Sequence, residues 1–336
     1  MNLKGILKKL CSINSICGNE FDLINLIKNE ISDSYYKNID NLNNLIVLND
    51  NYNNSQNENK LLILSAVDEP GLIINKIEDD GSLRFDKIGN LPINSLIGSV
   101  IQLKQTKGVI GQKPIHLQTD EEKNLNTKIE DLFIDIGTNS KNETAKKVQL
   151  GELVTFENNF IEFGDNQICS KSINSKLGSS ILIKMLNSQY NLNFNCAFLT
   201  KTIVCNASAA VVSKKIKPKI AIILDYEEEE IKINELNCDN TPDFILNCNP
   251  TTDRVFFNLT VNTAKKNNFN FQTKVKTKIK IEDQAIAQSN FGIKTITISI
   301  PCKQPNSNCS NVDLKKLNKT FEYLKTLIIE INKTKI

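Results

Sequence analysis

The chain has 336 residues, 40% hydrophobic and 24% charged, which is ordinary globular usage and excludes disorder as its main state. At this length a single growing core gives way to a main domain plus a smaller one. The 41 basic and 38 acidic residues leave a net charge of +3, too balanced for the electrostatic footprint of a nucleic-acid or membrane binder, so neither partner is expected.

The opening MNLKGILKKL has lysines but no apolar run of signal-peptide length, and no later segment approaches the roughly 20 apolar residues that a membrane span requires. A cytoplasmic location is the expectation. Leu3, Ile6, Leu7 and Leu10 recur at helical spacing, as do Phe21, Ile24, Ile27 and Ile31, predicting two amphipathic helices joined near Cys17-Gly18-Asn19. After an Asn-rich polar stretch (49–59), the continuous apolar run Leu61 to Ala66 predicts a buried strand, whose end is where an α/β sheet carries its chemistry. From Gly71 to about Phe163 the texture changes to short β-branched runs broken by Gly, Pro and Asn. Strands are predicted at Leu72 to Ile77, Leu83 to Ile88, Ile97 to Leu103, Leu132 to Ile136 and Leu153 to Phe156.

From Asn174 onward helices and strands alternate. A helix is predicted over Leu177 to Leu186, strands at Asn195 to Val204 and Ile220 to Leu224, a helix around Asp253 to Lys266 and a strand at Ile293 to Ile300. Asp313 is placed as the N-cap of a closing helix carrying Leu314, Leu317, Phe321, Leu324 and Ile328. The order argues for an α/β fold whose central mixed β-sheet is flanked by helices, with a small β domain inserted. The expected division is 1–68 plus 165–336 for the main domain and 69–164 for the insertion. Nine cysteines, odd in number and without CxxC spacing, predict reduced thiols rather than a disulfide framework.

Several ordered phrases carry a family resemblance: LRFDKIG (83–89), GVIGQKPIH (108–116), LFIDIGT (132–138), GELVTF (151–156), and Ile298 to Pro301 followed by Val312-Asp313-Leu314. Together they are similar to the glutamyl and tetrahedral aminopeptidase family of cocatalytic metallopeptidases. The resemblance implies an α/β peptidase domain with an inserted β-barrel or PDZ-like domain that helps build an oligomeric shell. It also implies removal of N-terminal residues from short peptides with two divalent ions, Zn²⁺ or Co²⁺. In such sites the ions acidify an attacking water while a carboxylate moves its proton.

Residue by residue, the resemblance implies a depleted site. The family phrase Ala-His-Met-Asp-Glu-x-Gly-Leu falls on SAVDEPGL (65–72), with Ala66 at the histidine ligand and Asp68 at the carboxylate that orients that histidine. Lys-Ala-Leu-Asp-Asp-Arg-x-Gly falls on KSINSKLG (171–178), with Asn174 at the bridging aspartate. Thr202 stands at the general base and Ile203 at the glutamate ligand that follows it; Asn306 stands at the last histidine. Asp225 alone is a retained ligand. The chain's single histidine, His116, lies in the inserted domain, so no two-His zinc site is possible.

A catalytically silent homologue is therefore expected, kept for assembly, with itself or with an active paralogue, or for peptide binding. No cofactor is expected. The alternative is a metal-dependent aminopeptidase with an atypical site holding two divalent ions, Zn²⁺ or Co²⁺. Glycoside hydrolysis finds no motif that places a carboxylate pair.

Overall fold

The computed structural model describes residues 2–49, 61–117, 119, 126–188, 190, 192–205, 207–229, 241–277, 281–290, 292–305, 307 and 309–334, without the side chains of residues 115 and 281–283. An eight-stranded mixed sheet forms the main body, in the order β1-β2-β12-β3-β13-β16-β14-β15. Its strands are β1 (Tyr36–Ile39), β2 (Leu45–Leu48), β3 (Leu61–Ala66), β12 (Asn195–Leu199), β13 (Ile220–Glu228), β14 (Phe244–Cys248), β15 (Phe271–Val275) and β16 (Lys294–Cys302). The central four, β12, β3, β13 and β16, run parallel, so their carboxyl ends emerge on one side.

The apolar run of β3 is continuous because both faces of the strand are covered. Leu61 and Ile63 join a large core with the helices Leu3–Cys11, Leu177–Leu186 and Leu314–Lys333, whereas Leu62 and Leu64 join a smaller core with Ala209, Val212 and Ile216 of the helix Ala207–Ile216. Strand β13 alternates in the same way, with Ile220, Ile222 and Leu224 on one side and Ala221 and Ile223 on the other. That two-sided burial is the usual condition of parallel strands.

The chain leaves this sheet after β3 and builds a closed barrel, β4-β5-β8-β7-β6-β9. Its strands are β4 (Gly71–Ile77), β5 (Leu83–Ile88), β6 (Val100–Gln102), β7 (Lys107–Gln112), β8 (Leu132–Asp135) and β9 (Leu153–Phe156), filled by a separate apolar core that includes Leu72, Phe85, Ile101, Ile110, Ile134 and Val154. A third sheet, β10 (Ile161–Phe163), β11 (Gln167–Ser170) and β17 (Ser310–Asp313), leads the chain back to the main domain. Mixed α/β with an inserted β-barrel is thus the fold, as the sequence predicts. Among the described residues, no helix is long and apolar enough to cross a membrane.

Several local expectations need correction. The strand predicted to run to Val204 stops at Leu199, since the chain turns at 200–204 with Lys201 in the left-handed region at φ 56°. The stripe of the second helix, Phe21–Glu30, buries Leu23 in place of Phe21, which is 54% exposed. The strand assigned to Ile97 to Leu103 shrinks to β6, and β13 extends past Asp225 to Glu228 because β16 continues beside it. Not all cysteines are free thiols: Cys169 in β11 and Cys309, just before β17, form a disulfide between paired strands. The cap assignment holds, with the Asp313 carboxylate accepting from Lys315 N at 2.7 Å.

Candidate functional site

A cavity of about 140 Å³ opens at the carboxyl ends of the parallel strands. Ala66 ends β3 and is registered with Leu199 of β12; Leu224 of β13 is registered with Ser65, which brings Asp225 alongside. Asn174 and Ser175 come from the helical turn Ile173–Lys176, and Thr202 and Ile203 from the turn after β12. Six of the positions singled out in the sequence, Ala66, Asp68, Asn174, Thr202, Ile203 and Asp225, therefore meet at one cavity wall. The seventh, Asn306, lies outside the described residues. His116 is exposed on the short turn Ile115–Leu117 and does not line the cavity.

The helix behind the cavity packs tightly against the sheet. A Cβ on Gly178 would stand 2.6 Å from Ser65 Oγ and 2.8 Å from Leu224 Cβ, so only glycine allows this approach. Ser65 and Ser179 hydroxyls meet at 3.1 Å, and Asn174 Oδ1 accepts from Ser310 Oγ at 3.3 Å. The barrel reaches the same wall: Gly89, with φ +87°, follows β5 where a Cβ would lie 2.8 Å from Ile203 Cγ2.

Asp68 is buried and both of its oxygens hold the 200–204 turn. Oδ1 accepts from the Thr202 hydroxyl at 2.7 Å, and Oδ2 from Ile203 N at 2.9 Å. Glu20 Oε1 accepts from Lys201 N and Gly18 N, both at 2.9 Å, and Asn44 Oδ1 from Thr200 N at 2.9 Å. Cys17 completes the clamp, hydrogen-bonding Asp68 and accepting from the Val204 backbone. Burial, followed by the charges of Asp68 and Glu20, pushes its thiol up to about 12. The segment carrying Cys17 is zipped to the tail of β3 by Glu69 N to Ser15 O at 2.9 Å and Cys17 N to Glu69 O at 3.1 Å.

Next to this clamp sits a buried ion-pair network. Lys171 Nζ donates to Glu69 Oε1 at 2.8 Å, Asn14 Oδ1 at 2.6 Å and Thr155 Oγ1 at 2.7 Å, while Lys176 Nζ lies 3.7 Å from Glu69 Oε2 and donates to Ser15 Oγ and the Val67 carbonyl. Thr155 belongs to barrel strand β9, so Lys171 ties the two domains together at their crossing point. Burial pushes the Lys176 ammonium below its ordinary value, with Glu69 opposing. Neither network is legible as a motif in the sequence. Their signals were the charged residues inside the phrases CGNE (17–20), DE (68–69) and KSINSK (171–176), which only tertiary contact brings together.

Among the described residues that line the cavity, the carboxylates are Asp68 and Asp225; no histidine, cysteine or glutamate joins them. Two dications a few ångströms apart need a bridging carboxylate and several further nitrogen or oxygen ligands. The described lining offers Asp225, an Asp68 whose two oxygens are engaged with Thr202 and Ile203, the Asn174 amide and the hydroxyls of Ser65, Ser175, Thr202 and Tyr226, a set that does not fit such a pair.

A sheet with its cavity at the carboxyl ends of parallel strands, interrupted by a closed barrel, is a fold that solved structures share. It is shared with an aminopeptidase of the archaeon Desulfurococcus kamchatkensis at TM-score 0.83 and 24% identity, covering 97% of this chain and 94% of that one. It is shared equally with the Pyrococcus horikoshii TET1 peptidase, which can assemble into a tetrahedron or a large octahedral shell, at TM-score 0.81 and 24% identity, covering 97% and 99%. In sequence, the M42 glutamyl aminopeptidase model matches residues 43–322, and the chain belongs to that family. A relative in Acetivibrio thermocellus that bears an aminopeptidase name is 26% identical over 331 residues, 95% of this chain and 96% of its own.

Proposed function

We propose that this chain is a catalytically silent member of its family, retained for assembly or peptide binding, either with copies of itself or as a subunit beside an active paralogue. The donor set of the cavity carries the reading: at the positions that resemble the family's ligands stand Ala66, Asn174 and Ile203, with Thr202 at the base and Asp225 as the single retained carboxylate. Changes behind a ligand already cost about 10–100-fold in metal affinity or activity, and lost ligands cost at least as much each. Loss of a general base costs a further factor of about 10²–10⁴. Multiplied over these positions, such factors leave no useful turnover.

What persists is the scaffold. The barrel is fully closed and packed, the domain crossing is pinned by Lys171, and the TET1 relative, with the same fold, forms large shells. Light scattering on the purified chain tests the assembly half of the proposal, with affinity purification from native lysate to detect an active paralogue. A species larger than one subunit, or a paralogue recovered in fixed ratio, is expected. A solitary monomer in both experiments would refute it.

A further inference from the structure

The buried cluster behind the cavity has a chemistry that turn-clamping leaves unfinished. The Cys17 Sγ and one oxygen each from Glu20 and Asp68 all lie within 4.8 Å of one another, and all three residues are buried. A zinc ion with bonds of about 2.0–2.3 Å at tetrahedral angles separates its ligand atoms by about 3.3–3.8 Å, so a small side-chain contraction is enough to close the triangle. Glu20 is 0% exposed, and while its Oε1 is satisfied by two backbone N–H groups, its Oε2 is buried with no hydrogen-bond partner. A carboxylate oxygen removed from water and left without a donor is a costly arrangement that an ion would relieve.

Charge balance points the same way. Glu20 and Asp68 place two carboxylates in the interior; the buried lysines Lys171 and Lys176 make their ion pairs with Glu69, and Lys176 acts on Asp68 only as a weaker, non-contacting charge. The hydrogen bonds that the two carboxylates make are with backbone N–H groups, the Thr202 hydroxyl and Cys17 itself, which are dipoles rather than compensating charges. The local cause is the zipper between residues 15–17 and 67–69, which sets the thiol against the carboxylate. With Ala66 in place of a histidine, Asp68 has no imidazole to orient at that position.

We propose that Cys17, Glu20 and Asp68 form a site for a single zinc-type dication, which shares Asp68 with the cavity wall but takes no ligand from Ala66, Asn174, Ile203 or Asp225. One thiolate with two carboxylates is a donor set for Zn²⁺ or Co²⁺ rather than for Mg²⁺ or Ca²⁺, which take oxygen alone. The fourth position falls to water or to the Thr202 hydroxyl, already 2.7 Å from Asp68. On binding, the Cys17 S–H bond breaks, the thiolate bonds the ion and the proton leaves to solvent, so affinity rises with pH. The bound ion fixes the 200–204 turn from behind, a structural role that requires no turnover in the cavity.

The test is a Co²⁺ titration of the full chain, stripped with chelator and kept under reducing conditions, read by the sulfur-to-cobalt charge-transfer absorption in the near ultraviolet. The expected result is a band that saturates at one equivalent. It should be absent in Cys17→Ala, weakened at least about tenfold in Glu20→Gln, and unchanged in Cys205→Ala, which removes an exposed thiol, and in Asp225→Ala. No band in the unmodified chain would overturn the proposal, even if Cys17→Ala did not fold. So would a band that survives Cys17→Ala or disappears in Asp225→Ala. None of these outcomes decides whether the cavity hydrolyses peptides, which a turnover assay reads separately.

Discussion

Replacing Glu69 by Gln removes charge at the domain crossing while keeping the side chain's shape. The residue is 1% exposed, its Oε1 accepts from Lys171 Nζ at 2.8 Å and from Ser15 N at 3.1 Å, and its Oε2 stands 3.7 Å from Lys176 Nζ. Glutamine retains an acceptor for Ser15 N but leaves two buried ammonium groups, 3% and 0% exposed as residues, without the carboxylate that pairs with both. Breaking a buried pair from one side costs about 3–5 kcal/mol, a large share of the roughly 5–15 kcal/mol that holds a typical domain folded. Urea unfolding followed by circular dichroism should show a loss in that range. Lys171→Met, alone and combined with Glu69→Gln, completes a double-mutant cycle in which a coupling of about 0.5–3 kcal/mol is expected for side chains in direct contact. A loss below about 1 kcal/mol in Glu69→Gln, the scale of an exposed pair, would refute the view that this network stitches the barrel to the main domain.

Gly178→Ala should destabilise by about 1–3 kcal/mol, as overpacking against a rigid strand does, measured by the same unfolding curves; a neutral effect would show that the helix can move away from Ser65 and Leu224. Alkylation of the native reduced protein at neutral pH, mapped by mass spectrometry, should label exposed Cys205 first and spare Cys11 and Cys17, whose thiols burial pushes up to about 11 and about 12. Lys176 supplies a pH test. Its folded value is depressed below 10.5, so between the two values the unfolded chain binds more protons, and stability gains as pH rises from the folded value toward 10.5. Against Lys176→Met, the parent chain should therefore recover stability as pH rises toward 10.5; a constant difference would mean that the ammonium is not held at a cost.

Much of the architecture was legible because burial on both sides leaves a plain mark. Leu61 to Ala66 reads as one apolar run since two different cores take its alternate residues, and the barrel strands reveal themselves by β-branched runs between turn residues. Strand β15 leaves little mark in the sequence: Phe271–Val275 reads FQTKV, largely exposed at the sheet edge and too polar to stand out. The extension of β12 to Val204 failed for a tertiary reason. Its β-branched residues suit a strand, but Glu20, Asp68 and Cys17 capture the backbone N–H groups of 201, 203 and 204 and hold a turn. The Cys169–Cys309 bond joins residues separated by 140 positions, and no spacing rule reaches that far. The cavity positions are equally scattered. Composition and periodicity could not have assembled Ala66, Asn174, Thr202 and Asp225; the ordered phrases shared with a family did, and the parallel register of β3, β12 and β13 supplies the physical means.

The most direct measurement is turnover of aminoacyl p-nitroanilides by the full chain in the presence of added Zn²⁺, Co²⁺ or Mn²⁺, compared with Asp225→Ala. A cavity whose described lining offers Asp225 and an engaged Asp68 with alanine, isoleucine, threonine and the Asn174 amide predicts release at the background rate in both proteins, whatever metal is supplied. Metal-dependent turnover in the parent chain that vanishes in Asp225→Ala would contradict it.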